Sequence, residues 1–312
     1  MQISKKALVP ISLEQSFALC ELEYALTDGI FEPTRKIKNA HLTIREVVRE
    51  TKLTRRNDET GKIDEEAVTL TFVVPSVLNA LAESILLAII KMSGINGIRV
   101  EPDQPTLPLF DTAEGGAKAK ARVQTTCKQY QLLKEAGMST GNHDYQQLDF
   151  YLKQMARVTI EWKNHTTGWR GACHLMEYTT HEDGSLIIQL NWRLAGVVLG
   201  ITGYDYAVID LNERHSLEKD ASKTLHRWLS AHLWRGNSEY ITYKRLINHI
   251  WTQEASGSTQ RMRLNRLKHE VLPEIAKLPN WTIEIGKDGA KISHHKEPKT
   301  TSTISNKLSG YQ

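Results

Sequence analysis

Two Asp-Gly steps, Asp183-Gly184 and Asp288-Gly289, each sit between short apolar runs, and each follows a short and then a longer helical segment. Asp-Gly between apolar runs is the strongest short-range signal for a hairpin, because both central residues of the tight turn need positive φ. A hairpin placed behind two helices is a small α+β unit, and its recurrence in one chain predicts two such units in tandem. The residues are not repeated; the order of elements is.

In the first copy, "LTIREVVRETKLTRRNDETGKIDEEAVTLTFVVP" reads as a hairpin of β-branched residues around a polar turn ending at Gly61. Pro75 and Ser76, a good N-cap, precede "SVLNALAESILLAIIKMSG", a helix apolar nearly all round until Gly94 stops it. After a loop with three prolines and a Gly-Gly step come a short helix over Cys127 to Ala136, a break at Gly137, and a longer helix from Asn142 to Arg157. On that longer helix Leu148, Leu152 and Met155 share the inner face, with Tyr145 and Tyr151 beside them. His143, Gln146, Lys153, Gln154 and Arg157 are expected on the other. "RVTIEW" and the Asp183-Gly184 hairpin close the unit.

The second copy has a helix with Leu225, Trp228 and Leu229 inward and Gly236 as stop, then the short helix "TYKRLINHIW", the break "TQEASGS" and a longer helix from Ser258. On it Leu264, Leu267, Val271, Ile275 and Leu278 form the buried stripe, and Thr259, Met262, Arg266 and His269 lie opposite, flanked by Arg263 and Asn265. This order is that of a winged helix, with the hairpin as wing. The sequence therefore predicts an α+β chain of two tandem winged-helix domains with accessory hairpins: an extension over 1–40, domains over 41–203 and 204–296, and a tail over 297–312.

Charge points to the partner. The net charge is only +4, so its distribution matters more than its sum. Ala117 to Lys134 holds five basic residues and no acidic one, Lys118 and Lys120 among them. Arg261, Arg263 and Arg266 crowd the start of the last long helix. Arg261 and Arg263, in the first turn and a half, oppose the helix macrodipole at about 0.3–1 kcal/mol each. A polyanion reverses that sign, since free helix-start amides take phosphate and arginines add counter-charge or bidentate contacts to guanine. Ser256, Ser258 and Thr259 are then phosphate or cap donors.

The block "WTQEASGSTQRMRLNRLKHEVLPEIAKLPNWTI", with Trp251, Glu254, Ala255, the Ser256–Thr259 run, Leu272-Pro273-Glu274, Trp281 and Thr282, resembles the C-terminal signature of IncQ-type plasmid replication protein C. "ILLAIIKMSGINGIRV" is similar to a second segment of that family, and the likeness covers roughly Leu42 to Ser293. The resemblance implies an iteron-binding initiator that recognises direct repeats in duplex DNA at a plasmid origin, helps to open it, and lets a plasmid helicase and primase load. It implies DNA contact at Ser256, Ser258, Thr259, Arg261, Arg263 and Arg266, no catalytic residues and no cofactor. Initiators of this kind make the hairpin from Leu42 to Phe72 a candidate homodimer interface.

Other classes fit less well. A winged-helix transcription regulator shares the DNA chemistry and differs in lacking the signature block. A tyrosine-based nicking enzyme would use Tyr311, yet His294 and His295 point to opposite faces of a strand, and no acidic cluster lies near them. His215, His226 and His232 lack ligand spacing, and no glycine-rich nucleotide loop is present. The longest apolar run, Ile85 to Ile90, is too short for a bilayer, the N-terminus shows no export signal, and Cys20, Cys127 and Cys173 suit a reducing cytoplasm.

Overall fold

Both Asp-Gly steps close hairpins in the computed structural model, which describes residues 17–33, 44–56, 63–74, 78–100, 122–168, 170–200 and 205–296. The chain enters through β1 (Phe17–Glu21), α1 (Leu22–Leu26) and β2 (Phe31–Glu32). The expected first hairpin is β3 (Arg45–Arg56) against β4 (Ile63–Val74), antiparallel from Arg45↔Val74 to Arg56↔Ile63. Its period of two puts Val68, Leu70, Phe72 and Val74 on the buried face.

β5 (Leu78–Asn79) leads into α2 (Ala80–Asn96). The expected cap, Ser76, lies outside the described residues; Asn79 is the N-cap, its side chain accepting from the Leu81 and Ala82 amides. The helix also continues through Gly94 and ends before Gly97, because a buried helix held by neighbours on every side tolerates a glycine that would stop an exposed one. β6 (Ile98–Val100) follows, then β7 (Arg122–Lys128), α3 (Gln129–Glu135) and α4 (Asn142–Ala156). The helix expected from Cys127 begins two residues later. Cys127 and Lys128 finish a strand whose alternating burial (Val123, Thr125 and Cys127 inward) was hidden under the basic run.

β8 (Thr159–Asn164) and β9 (Arg170–His174) extend the first hairpin into a sheet of order β3-β4-β8-β9. The hairpin β10 (Met176–Thr180) and β11 (Ser185–Leu190) joins β7 and β6 in the order β10-β11-β7-β6. Gly184 takes φ +78° in its turn, as an Asp-Gly turn requires. α5 (Trp192–Val198) and β12 (Tyr206–Asp210) complete this half; β12 pairs with β1, from Phe17↔Asp210 to Glu21↔Tyr206. Within 1–40, set apart by the sequence as an extension, Ala18, Cys20, Tyr24, Ala25, Ile30 and Phe31 are buried in the first core.

The second half comprises α6 (Leu211–Ser216), α7 (Asp220–His232), β13 (Ser238–Thr242), α8 (Tyr243–Ile250), α9 (Gly257–Arg266), a π-helical turn (Leu267–Val271), α10 (Leu272–Ala276), β14 (Trp281–Ile285) and β15 (Gly289–His294). The π turn has two visible causes. Pro273 has no amide with which to continue the α-helical ladder, and the extra residue lets the adjacent Val271 and Leu272 both face the core, at 1% and 0% exposure. Of the expected stripe, Leu267, Val271, Ile275 and Leu278 are buried and Leu264 is half-buried at its edge.

The sheet order is β13-β15-β14. In both halves, a strand ahead of two helices pairs with the second strand of the hairpin behind them, β7 with β11 and β13 with β15. Each half has its own apolar core. The repeated order of elements is thus a repeated topology, with α2 and α7 as the helices that lead each copy.

Candidate nucleic-acid interface

α9 begins at Ser256, extended at φ −126° and ψ 164°, followed by Gly257 at φ +58°. Ser256 occupies the N-cap position but makes no side-chain cap bond, so the role of cap donor expected of it is not filled within the protein. Gly257, Ser258, Thr259 and Gln260 are all exposed. The first-turn amides therefore face solvent with no side-chain acceptor, an arrangement suited to an anion.

Arg261 stands nearest those amides; Arg263 and Arg266, expected at the helix start, fall instead in the last turn of α9, so the macrodipole argument does not reach them. No acidic residue occurs in Gly257–Arg266. Arg261 is exposed and has no ion-pair partner among the described residues. Arg263 donates through Nη1 to the Gln253 carbonyl and lies 5.9 Å from the Trp251 ring centroid; Arg266 lies 5.7 Å from the same centroid. One indole thus organises two guanidinium groups, each held by cation–π attraction. The nearest carboxylate to Arg266 is Glu270 at 3.9 Å, with both side chains about 40% exposed. Such a pair is screened by water and neutralises little. Lys268 lies over Tyr243 at 4.2 Å, and Lys287 and Lys291 are exposed on the hairpin β14–β15. The stripe is cationic, solvent-facing and not consumed by internal carboxylates.

The hairpin beside it is anchored at both ends. At its tip, a Cβ on Gly289 would stand 2.4 Å from the Ile241 carbonyl, so only glycine lets β15 approach β13 there. At its base, Trp281 is fully buried, stacks on His294 with centroids 4.0 Å apart, and donates Nε1–H to Glu213 at 2.9 Å. Burial alone would raise the Glu213 carboxyl. The hydrogen bond and charge of His226, with donors from Trp281 and Asn280, outweigh it and hold the pKa down at about 2. Of the adjacent histidines, His294 is buried against Trp281, whereas His295 meets Thr282. Burial and the opposite-facing strand geometry account for the split.

The first unit offers a different surface. His143, Gln146, Lys153 and Arg157 are exposed on α4, as expected, but Gln154 is buried at 8% exposure. It falls at the flank of the inner sector beside Tyr151, and neighbouring chain covers it, which corrects its assignment to the outer face. Lys153 is paired with Asp149 at 2.6 Å, and Gln147 hydrogen-bonds His143. The outer face of α4 is therefore polar and nearly neutral, rich in amide and imidazole groups. Lys118, Lys120 and Tyr311 lie outside the described residues.

Sequence reasoning overlooked two features. Trp251 entered it only as part of a block, yet it is the platform under two arginines. Buried charges also join the two halves: Glu83 of α2 meets Arg214 of α6 and Arg227 of α7. A lone glutamate in an otherwise apolar helix was the available signal, since such a charge needs a buried partner.

Comparison with known proteins adds a family. The model of the family described as Replication protein C (RepC) matches residues 43–294. No curated protein matches the chain. Two crystal structures of domains 2 and 3 of RctB are similar in outline. A selenomethionine form shows 9% identity and a TM-score of 0.48, over 88% of this chain and 99% of that one. RctB-155-483 shows 6% identity and a TM-score of 0.46, over 87% and 95%. Among the described residues, no helix is long and apolar enough to cross a membrane.

Proposed function

The chain belongs to the replication protein C family, and from that premise we propose that it is a plasmid replication initiator which binds directly repeated duplex sequences, iterons, at its origin. Its two halves act as tandem winged helices, with α4 and α9 as recognition helices and the β10–β11 and β14–β15 hairpins as wings. The observation that carries this reading is the cationic, solvent-facing side of α9: exposed first-turn amides, Arg261 in solvent, and Arg263 and Arg266 of its last turn presented side by side over Trp251.

In this mechanism a backbone phosphate docks at the open N-terminus of α9, taking donors from the first-turn amides and from Ser256, Ser258 and Thr259. That places the helix in the major groove, where Arg263 and Arg266, held extended by the indole, reach phosphate oxygens or guanine edges. Lys287 and Lys291 on the wing follow the adjacent backbone. On α4, Gln146 and His143 supply hydrogen-bonding groups and Arg157 a phosphate contact. The chain works by binding rather than by catalysis and needs no cofactor. Bound repeats strain the neighbouring duplex, which aids opening and the loading of a plasmid helicase and primase in the bacterial cytoplasm. β3, the edge strand of its sheet, offers an interface for homodimer formation.

A band-shift titration with a labelled origin fragment tests the reading. A complex should form that survives excess unrelated duplex and is displaced by unlabelled origin. Equal displacement by both, or no complex at low salt, overturns it.

A further inference from the structure

The junction between the halves holds buried charge beside its apolar contacts, in which Leu211 and Ala231 of the second half join the first core and Leu26 of the first half packs on the second. Glu83, on the first turn of α2, is 2% exposed, and both of its oxygens are occupied from the other half of the chain. Arg214 donates through Nη2 to Glu83 Oε2 at 2.6 Å, and also to the Ala80 carbonyl, the Ser84 hydroxyl and the Lys223 carbonyl. Arg227 Nε stands 2.6 Å from Glu83 Oε1, an ionic contact off hydrogen-bond alignment. Its Nη1 donates to the carbonyls of Tyr24, Ala25 and Thr27 at the end of α1. Arg227 sits on α7, whose Leu225, Trp228 and Leu229 pack into the second core. One helix is thereby part of the second core on one side and bolted to the first half on the other.

Buried ion pairs of this kind contribute little net stability, because desolvation offsets the attraction; their best-attested use is to fix one geometry among several. Apolar faces slide on one another at low cost. A carboxylate gripped by two guanidinium groups, each with three further acceptors in fixed positions, does not. The bolts act on α2 and α7, the helices that lead the two units, so they set how α4 and α9 stand relative to each other.

We propose that Glu83 is a positioning residue for DNA recognition: by fixing Arg214 and Arg227 it locks the phase between the two recognition helices, so that the chain accepts one spacing between the half-sites of its repeat. This rests on the reading that both units contact one duplex. Glu83 itself touches no DNA. Removing its charge should leave each half-site's recognition intact and relax the spacing rule.

The test uses the full chain and a series of duplexes with zero to five base pairs inserted between the halves of the bound site. Five base pairs turn one half-site to the opposite side of the duplex, so wild-type affinity should fall by at least about tenfold across the series. For Glu83→Gln the fall should shrink to about threefold or less, with melting by circular dichroism confirming the fold. Glu83→Asp, which keeps the charge, should restore most of the wild-type spacing rule. A Glu83→Gln profile as steep as the wild type's overturns the proposal. A second readout needs no DNA: electron–electron distance measurement between spin labels at His143→Cys and Thr259→Cys, in a Cys173→Ser background, should give one narrow distribution that broadens with Glu83→Gln, or with Arg227→Lys, which loses the guanidinium fork, if the glutamine form does not fold. Unchanged width overturns the lock. A wild type that binds none of the duplexes refutes the DNA reading alone, and the distance measurement then decides the lock.

Discussion

Replacing Arg266 by alanine separates an internal role for this side chain from an external one, because the structure bounds what it can contribute to the folded protein. Its ion pair with Glu270 is 3.9 Å long with both partners about 40% exposed; after solvent screening such a pair is worth roughly 0–1 kcal/mol. Its cation–π contact with Trp251 at 5.7 Å adds about 0.5–1 kcal/mol at an exposed site. The two are not additive, since one side chain serves both, so Arg266→Ala should cost the free protein about 1 kcal/mol and a few degrees in Tm at most. A bidentate contact to a base is worth about 1–3 kcal/mol, a loss of roughly 5- to 150-fold in affinity. The assay is fluorescence anisotropy with a labelled origin repeat and single-base variants of it, over a salt series. Arg266→Ala should relax discrimination at one base position. Arg261→Ala, solvent-exposed at the helix start, should weaken all duplexes alike and reduce the log–log salt slope by about 0.9. If both substitutions weaken every sequence equally, Arg266 is a phosphate contact and its place on the base-reading face is wrong. If unfolding free energy drops as much as binding free energy, its role is internal.

Trp281→Ala should destabilise by about 3–5 kcal/mol, because it empties a fully buried site and takes the indole donor from Glu213; urea unfolding measures it, and a loss under about 1 kcal/mol would contradict the packing described. The Glu213 carboxyl is held down at about 2 from 4.5, so its contribution is present above the ordinary carboxylate range and fades as pH falls towards 2. The stability gap between wild type and Glu213→Gln should therefore shrink between about pH 5 and pH 2, by no more than about 3 kcal/mol, and a gap independent of pH would refute the assignment. Gly289→Ala puts a methyl group 2.4 Å from the Ile241 carbonyl, and should cost about 1–3 kcal/mol by overpacking; a neutral substitution would show that the β13–β15 approach is looser than described.

What the sequence made legible was local. Asp183-Gly184 and Asp288-Gly289 marked two hairpins because turn chemistry is written in adjacent residues, and α4 and the stripe Leu267, Val271, Ile275 showed through the helical period. What stayed hidden depended on distant partners. β1 is five residues whose partner, β12, lies some 190 positions away, so nothing nearby distinguishes it from a stray apolar run. β7 was masked by its own charges. At the site, the positions and polarity of the α9 arginines were readable, whereas their shared seat on Trp251 required the fold. Arg214 and Arg227 look in sequence like any surface charges, and only the packing of α6 and α7 against α2 buries them beside Glu83. Gln154 shows the limit of an ideal helical wheel, which assigns faces but does not know what covers their flanks.

The central claim is that two similar units on one chain meet one duplex through its grooves. Nuclease footprinting of the wild-type protein on its origin tests it most directly. Two units in neighbouring grooves should protect about two helical turns per repeat, roughly 20 base pairs, with protection lost as salt rises. Protection of only one turn would leave α9 as the sole reader, and an unprotected origin at low salt would contradict the account as a whole.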